Sequence, residues 1–523
     1  MKHGNGVPGW IRKPSIAGLC LLMGSVVAWA QTSSSGPAPS QGDSMAAAVQ
    51  ELQRQVGELR AAVGEMRSET AQYRAENAEL RHQVEALRLQ TAVGAGLGSE
   101  SQGAAPTQAA NTAPSSLEQR VASLEDSSQL QNSKLNDQYQ TKVESASKYR
   151  VRLSGIVLMN LFSNRGTTDT QDVPTYVTGP NVGSGNFGAT LRQSEIGLEV
   201  FGPHVAGARI SGSLQADFGG GFADTWNGVD SGVFRLRTAS MHMDWQHTSL
   251  VVGQDDLFIS PLSPSTFASL AVPGFTYAGN LWAWTPQVRV EHRFAISDDQ
   301  NITVQGGILD NLTGEFPASS YFRSSGPGEN SGQPAYAFRT AWSSSLFGQP
   351  LVVGGAGYYG RQDWGFDHYA DGWADMVDLQ IPLSSRVSFS GEFYRGKAIG
   401  GLGGGISRSV VYNGNPALAS TAVIPLDSVG GWSQIKVRAN NRLEFNAGFG
   451  LDNPTASEVR AGAAGETYVG PMLVQNRSAL VNFIFRPRSN LLFSAEYRHL
   501  QSLQIYDVNN SAQQINVMMG VLF

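Results

Sequence analysis

In the stretch VFRLRTASMHMDWQ, Arg235 and Arg237 are separated by a single leucine, and in QVRVEHR the charges Arg289, Glu291 and Arg293 alternate in the same way. A period of two places such side chains on one face of a β-strand. Rows of this kind put an electrostatic field along a wall, which is the chemistry of guiding ions rather than of breaking bonds. Other alternating segments put Arg209, Asp217, Arg339, Glu392, Lys436, Arg438, Glu444, Arg486, Glu496 and Arg498 on polar faces. Basic groups slightly outnumber acidic ones there, which favours anions; local pairing of charges along a solvated wall is the alternative.

Residues suited to bond-breaking are sparse. HTS, His247 to Ser249, is the one close His/Ser pairing that an outer-membrane hydrolase could use, and it falls on a tight turn. The histidines are scattered singly, so no metal site and no cofactor is expected. Cys20 is the single cysteine and lies in an apolar N-terminal run. A net charge of -6 offers no basic field of the kind that gathers nucleic acid.

The elements that must position these charges are strands. RVSFSGEFY sets Val387, Phe389 and Phe393 against Ser388, Ser390 and Glu392, and NRLEFNAGFGL sets Leu443, Phe445, Ala447, Phe449 and Leu451 against Glu444 and Asn446. Such alternation describes strands with one apolar and one wet face. The pattern predicts strands over 150–163, 190–202, 205–218, 233–246, 248–254, 285–294, 300–309 and 334–345. It continues over 350–361, 372–382, 385–396, 429–439, 441–452, 476–487, 489–502 and 512–523. Their connections alternate short and long: Pro203-His204, His247, 295–299, 346–349, 383–385, Asn440 and Arg488 against 164–189, 255–284, 310–333, 397–428 and 453–475. Tight turns at one end and long loops at the other mark a sixteen-stranded antiparallel transmembrane β-barrel rather than a soluble sandwich. A barrel of that size is too wide for side chains to fill and encloses an aqueous channel.

In strand 4, Arg235 and Arg237 share parity with Met241, Met243 and Trp245. Arginines facing mid-membrane lipid are costly, so either a bulge intervenes or the apolar residues near the rim turn inward; both arginines are expected in the pore. The loop at 255–284 is long, rich in proline and aromatics, and almost uncharged beyond Asp255 and Asp256. Phe258, Phe267, Phe275 and Tyr277 need cover that the lumen supplies, so this is the expected constriction loop. Packing against a neighbouring subunit is the competing reading.

The N-terminal part differs in kind. Residues 1–30 read as a secretory signal, with Lys2, Arg12 and Lys13 ahead of an apolar run and Ala28-Trp29-Ala30 before a cleavage at Gln31. Residues 45–90 hold an unbroken heptad register from Val49 to Leu87, with arginines at e from Arg60 to Arg88, which predicts a parallel coiled coil about 60 Å long. Asn77 at an a position sets its register. Residues 91–148 form a Gly/Ala/Ser/Pro linker with a short helix near 116–126. Valine at a with leucine at d favours two strands in the coil.

The segments LRQSEIGLEV (Leu191 to Val200), LQADFGGGF (Leu214 to Phe222), FRLRTASMHMDWQHTSLVVGQ (Phe234 to Gln254) and TPQVRV (Thr285 to Val290) resemble the DcaP-like family of dicarboxylate-associated trimeric porins. The resemblance also extends to the order of signal, coiled coil, linker and barrel. It implies a homotrimer, a trimeric coil that follows the barrels, and a basic pore built on Arg235, Arg237 and Arg289. Two positions depart from the family pattern, Glu195 after the QS and Trp284 ahead of Thr285-Pro286, and both replace positive charge.

The sequence therefore predicts an all-β barrel over 149–523 in the bacterial outer membrane, with the coiled coil in the periplasm. The expected function is passive diffusion of small hydrophilic solutes, with anion or carboxylate preference. Arg209, Asp217, Arg235, Arg237, Arg289, Arg293, Arg339, Lys436 and Arg438 are the selectivity candidates. Outer-membrane lipid surrounds the barrel, and the terminal Phe523 of the stripe Ile515, Val517, Met519, Val521 resembles the signal read by barrel-assembly machinery. An envelope tether with incidental transport is the alternative, followed by a hydrolase.

Overall fold

The computed structural model describes residues 142–143 and 150–523, apart from 181–184, 223–231, 315–322, 464–471 and 507. The expected signal, coiled coil and short helix lie outside the described residues. The barrel strands are β1 (Arg150–Arg165), β2 (Asn186–Thr190 and Glu195–Val205), β3 (Ala208–Asp217), β4 (Arg235–Asp244), β5 (Thr248–Asp256) and β6 (Trp284–Ser297). They continue with β7 (Gln300–Leu309), β8 (Ala335–Leu346), β9 (Gln349–Asp363), β10 (Tyr369–Pro382) and β11 (Val387–Lys397). The last are β12 (Asp427–Asn440), β13 (Leu443–Pro454), β14 (Leu473–Arg488), β15 (Leu491–Gln504) and β16 (Asn509–Leu522).

Each strand pairs antiparallel with the next, and β16 returns to β1 in register from Ile156↔Leu522 to Arg165↔Gln513. Closure leaves the wall without an edge. The seam extends one residue further, because Phe523 and Gly155 exchange N–H···O bonds of 3.1 and 3.0 Å. Among the described residues no helix is long and apolar enough to cross a membrane, which says nothing about strands.

The alternation read from sequence governs which way side chains face. On β1, Val157 and Leu161 are exposed outward, whereas Leu158 and Asn160 are fully buried inward. On β16, Val517, Met519 and Val521 are exposed and Asn516 is buried. Such a barrel turns apolar side chains to lipid and polar ones to the lumen.

Some boundaries move. The expected turn at Pro203-His204 is instead strand, with a register shift between Phe201 and His204 that accommodates the proline. The turn follows at Ala206 and Gly207, whose φ values of 51° and 78° suit a tight hairpin. Asp255 and Asp256 end β5 and Trp284 starts β6, so the loop between them is shorter than 255–284.

Candidate functional site

Two irregularities in the wall shape the site. Between Ile156↔Glu195 and Asn160↔Thr190, the three β1 residues Val157 to Met159 face four, Leu191 to Ser194. The surplus forms a turn, with Ser194 N–H donating to Leu191 O at 3.0 Å, and Ser194 Oγ accepts from Leu158 N–H at 3.0 Å. In β4, Gln215 pairs with Thr238 but Ala216 pairs with Leu236, so Arg237 is the extra residue of a bulge. The bulge resolves the parity conflict: Leu236 and Met241 are exposed outward, while Arg235 and Arg237 point inward.

Both arginines meet carboxylates on other strands, Arg235 on the adjacent β3 and Arg237 one strand further, on β2. Arg235 grips Asp217 through Nε (3.0 Å) and Nη2 (2.6 Å). Arg237 forms an ion pair with Glu195 and comes within 3.9 Å of Asp217. The guanidinium carbons of Arg235 and Arg237 lie 4.8 and 4.6 Å from the ring centre of Trp284. Indole is the best ring for such a contact, so Trp284 holds both cations from a second side. Arg289 on β6 donates to Asp255 Oδ2 at 2.8 Å and to Gln287 Oε1 at 3.0 Å, with Phe258 5.7 Å beneath it. The two departures noted in the sequence, Glu195 and Trp284, thus both sit against Arg237, and Trp284 also against Arg235.

The other candidates separate into two groups. Arg339 is buried and bidentate to Asp378 (2.9 and 2.7 Å), with a third bond of 3.0 Å to Gln305. Arg209, Arg293, Lys436 and Arg438 keep inward parity near the turn end. Arg293 lies 3.9 Å from Glu291 and Arg438 donates to Gln349 at 2.7 Å.

The loop between β5 and β6 runs inside the barrel. Phe258, Phe275 and Leu281 are buried and Phe267 and Tyr277 are half-buried. Glu392 of β11 accepts from Ser260 Oγ (2.6 Å) and Leu262 N–H (2.8 Å). Gln434 of β12 accepts from Ser265 N–H at 2.7 Å, and Asn482 of β14 donates to Ser265 O at 2.9 Å. On the opposite side Gln193, fully buried at the break in β2, accepts from Leu270 and Ala271 N–H (2.7 and 3.2 Å) and donates to Ala268 O (3.1 Å). Gly279, with φ of 99°, passes so close to β12 that a Cβ would lie 2.1 Å from Gly431 O. Phe275 and Tyr277 also take positive φ (60° and 56°), a strain the surrounding contacts must hold.

Sequence reasoning missed Gln193, Gln434, Asn476 and Asn482 as anchors, and missed a second inward loop. Gly400–Leu402 and Gly404–Ser407 fold against the first, with Trp282 N–H donating to Leu402 O (3.0 Å) and Ile406 N–H to Asp452 Oδ2 (2.8 Å). Its glycine-rich sequence was the available signal. The 166–180 segment also turns inward, since Asn476 donates to both Thr175 O and Tyr277 O (2.9 and 2.8 Å).

His247 and Ser249 do not form a nucleophile–base pair: Ser249 Oγ donates to Asp244 Oδ1 at 2.7 Å. Among the described residues no group of three His, Cys, Asp or Glu could hold a metal ion.

No family model matches the sequence, and no curated protein matches it. Among solved structures, the fold is similar to the outer-membrane channel DcaP of Acinetobacter baumannii, with 13% identity, a TM-score of 0.55, and 73% of this chain and 99% of that one covered. An anion-selective porin from Comamonas acidovorans matches at 10% identity and a TM-score of 0.43, covering 72% of this chain and 100% of that one. OprB of Pseudomonas putida matches at 12% and 0.42, covering 71% and 94%. The DcaP-like resemblance first seen in Leu191–Val200 and its companion segments is thus also a resemblance of fold, that of an outer-membrane channel.

Proposed function

We propose that this chain is an outer-membrane porin that lets small hydrophilic solutes diffuse passively. The observation that carries this reading is the closed sixteen-stranded wall, polar inside and apolar outside, with a loop pinned across its lumen. A barrel of this width leaves room for water. The inward loop restricts that room, and the charges of β2 to β6 face what remains.

Anion preference was expected from Arg235, Arg237, Arg289 and Arg339. Each is engaged by a carboxylate, Asp217, Glu195, Asp255 and Asp378 respectively. Paired guanidiniums attract a passing anion far less than free ones, so selectivity by charge is modest in this reading. The trimer, the periplasmic coiled coil and the recognition of Phe523 by assembly machinery complete the proposal. The conductance of the full chain in a planar bilayer tests it, and absence of conductance overturns it. Deleting residues 45–90 separates the envelope tether: a tether predicts unchanged conductance per barrel and a loosened envelope.

A further inference from the structure

Glu195, Asp217, Arg235 and Arg237 form a compact quartet on three strands. Glu195↔Asp217 and Asp217↔Arg235 are direct cross-strand neighbours, so three of the four charges stand at one height on the inner wall. Asp217 is 0% exposed and is occupied by Arg235 and by Gly219 N–H at 2.8 Å, which makes it a fixed part of the wall. Glu195 is 15% exposed and Arg237 12%, so each keeps a small accessible part, while Glu195 Oε1 and Arg237 Nε and Nη1 are themselves buried against the wall. Arg237 is the bulge residue, its carbonyl held by Gln254 Nε2 at 2.7 Å, and its guanidinium reaches past β3 to find Glu195 on β2. Gln215 Nε2 supports Glu195 from a distance of 3.5 Å.

We infer that Glu195 is a specificity-determining residue: it clamps Arg237 against the wall and so withholds the positive charge that would otherwise recruit anions to the restricted zone. With the clamp closed the quartet is electrically balanced, two guanidiniums against two carboxylates. Such a zone passes neutral and zwitterionic solutes without discrimination and offers anions no free guanidinium. With the clamp open, Arg237 keeps its contact with Trp284 and the partial compensation of Asp256, which also bonds Trp284, but turns the donors that Glu195 held to the lumen. The inference rests on the porin reading above and names which solutes that channel favours.

The test is the chloride-to-potassium permeability ratio of the full chain in planar bilayers, from reversal potentials under a KCl gradient. Glu195→Gln is expected to raise the ratio about threefold, the order expected for one charge several ångströms from a passing ion in a wet lumen. Glu195→Asp keeps the charge but shortens the reach, and is expected to raise the ratio by a smaller amount, a change that net charge alone would not produce. In an Arg237→Gln background, Glu195→Gln is expected to shift the ratio less than in the wild type, because no clamped cation remains to release. An unchanged ratio in Glu195→Asp, or equal shifts in the two backgrounds, overturns the clamp while leaving a conducting porin. A wild-type chain that does not conduct overturns the porin reading, and the clamp with it.

Discussion

Replacing Glu392 by alanine tests whether the inward loop is held by the wall or merely rests on it. Glu392 is almost fully buried on β11, and its carboxylate accepts from Ser260 Oγ at 2.6 Å, Leu262 N–H at 2.8 Å and Trp432 Nε1 at 3.4 Å. The first two bonds bind the loop, and a buried donor left without its acceptor costs about 1–3 kcal/mol, to which the weakened Ser260 contact adds a fraction. Ser260 also bonds to Leu281 O at 2.6 Å, so its single proton can turn there and the loss at Ser260 is partial. Leu262 N–H has no such recourse. The net weakening of the Ser260–Leu262 attachment is therefore about 3 kcal/mol, which raises its open population about a hundredfold. The rest of the loop stays docked through Gln193, Gln434 and Asn482.

Hydrogen exchange of the barrel in lipid nanodiscs reads this directly: the segment around Leu262 should exchange about a hundredfold faster in Glu392→Ala, with strand amides unchanged. Single-channel records should show added current noise. Glu392→Gln keeps one acceptor oxygen and should fall between wild type and alanine. Unaltered exchange around Leu262 in a folded Glu392→Ala barrel would refute the reasoning, because the loop would then be held by packing alone.

Arg339→Ala strands Asp378 in a buried site and should destabilise the barrel by about 3–5 kcal/mol, measured as a lower urea midpoint; replacing both partners with apolar residues should restore most of it. Gly155→Ala sets a Cβ 2.4 Å from Glu195 O and 2.7 Å from Phe523 Cζ, at the seam. It should cost about 1–3 kcal/mol and lower the heat-resistant folded fraction on gels. In the 310–334 loop, the Gly326 N–H and then Arg323 hold the Glu329 carboxyl below its ordinary value of 4.5. A depressed carboxyl stabilises the loop above that value and loses the contribution as pH falls through the lowered one, so cleavage of this loop by an acid-active protease should increase as pH is lowered below the ordinary carboxyl value. Burial, then Glu329, raises the Asp310 carboxyl, so its protonation offsets part of that loss.

Strand order, closure and facing were legible because a period of two repeats through the wall, as in Val387 to Phe393 or Ile515 to Phe523. The arginines of β4 were legible only as a conflict, since Arg237 occupies a bulge that alternation can flag but not locate. The clamp on Arg237 was not legible at all. Glu195 and Arg237 are brought together by the pairing of β2 with β3 and β3 with β4, and by the length of an arginine side chain crossing one strand. The anchors were hidden for a related reason. Gln193, Gln434 and Asn482 read as ordinary polar wall residues until the loop is seen against them.

That distinction divides the inward charges by function. Parity says which side chains leave the lipid, but not whether water reaches them. On β8 to β15, Arg339, Glu392, Glu496 and Arg498 are buried, and their partners are each other, wall residues or loop residues. They are struts, and substituting them should move stability or loop order before it moves selectivity. On β2 to β6, Glu195, Arg235, Arg237 and Arg289 retain partial exposure and pair across strands. On the porin reading proposed above, charge selection belongs to this arc of the wall, where changing one member of a pair leaves its charged partner without compensation. A charge change on Glu496 that shifted the permeability ratio as much as one on Glu195 would contradict this division.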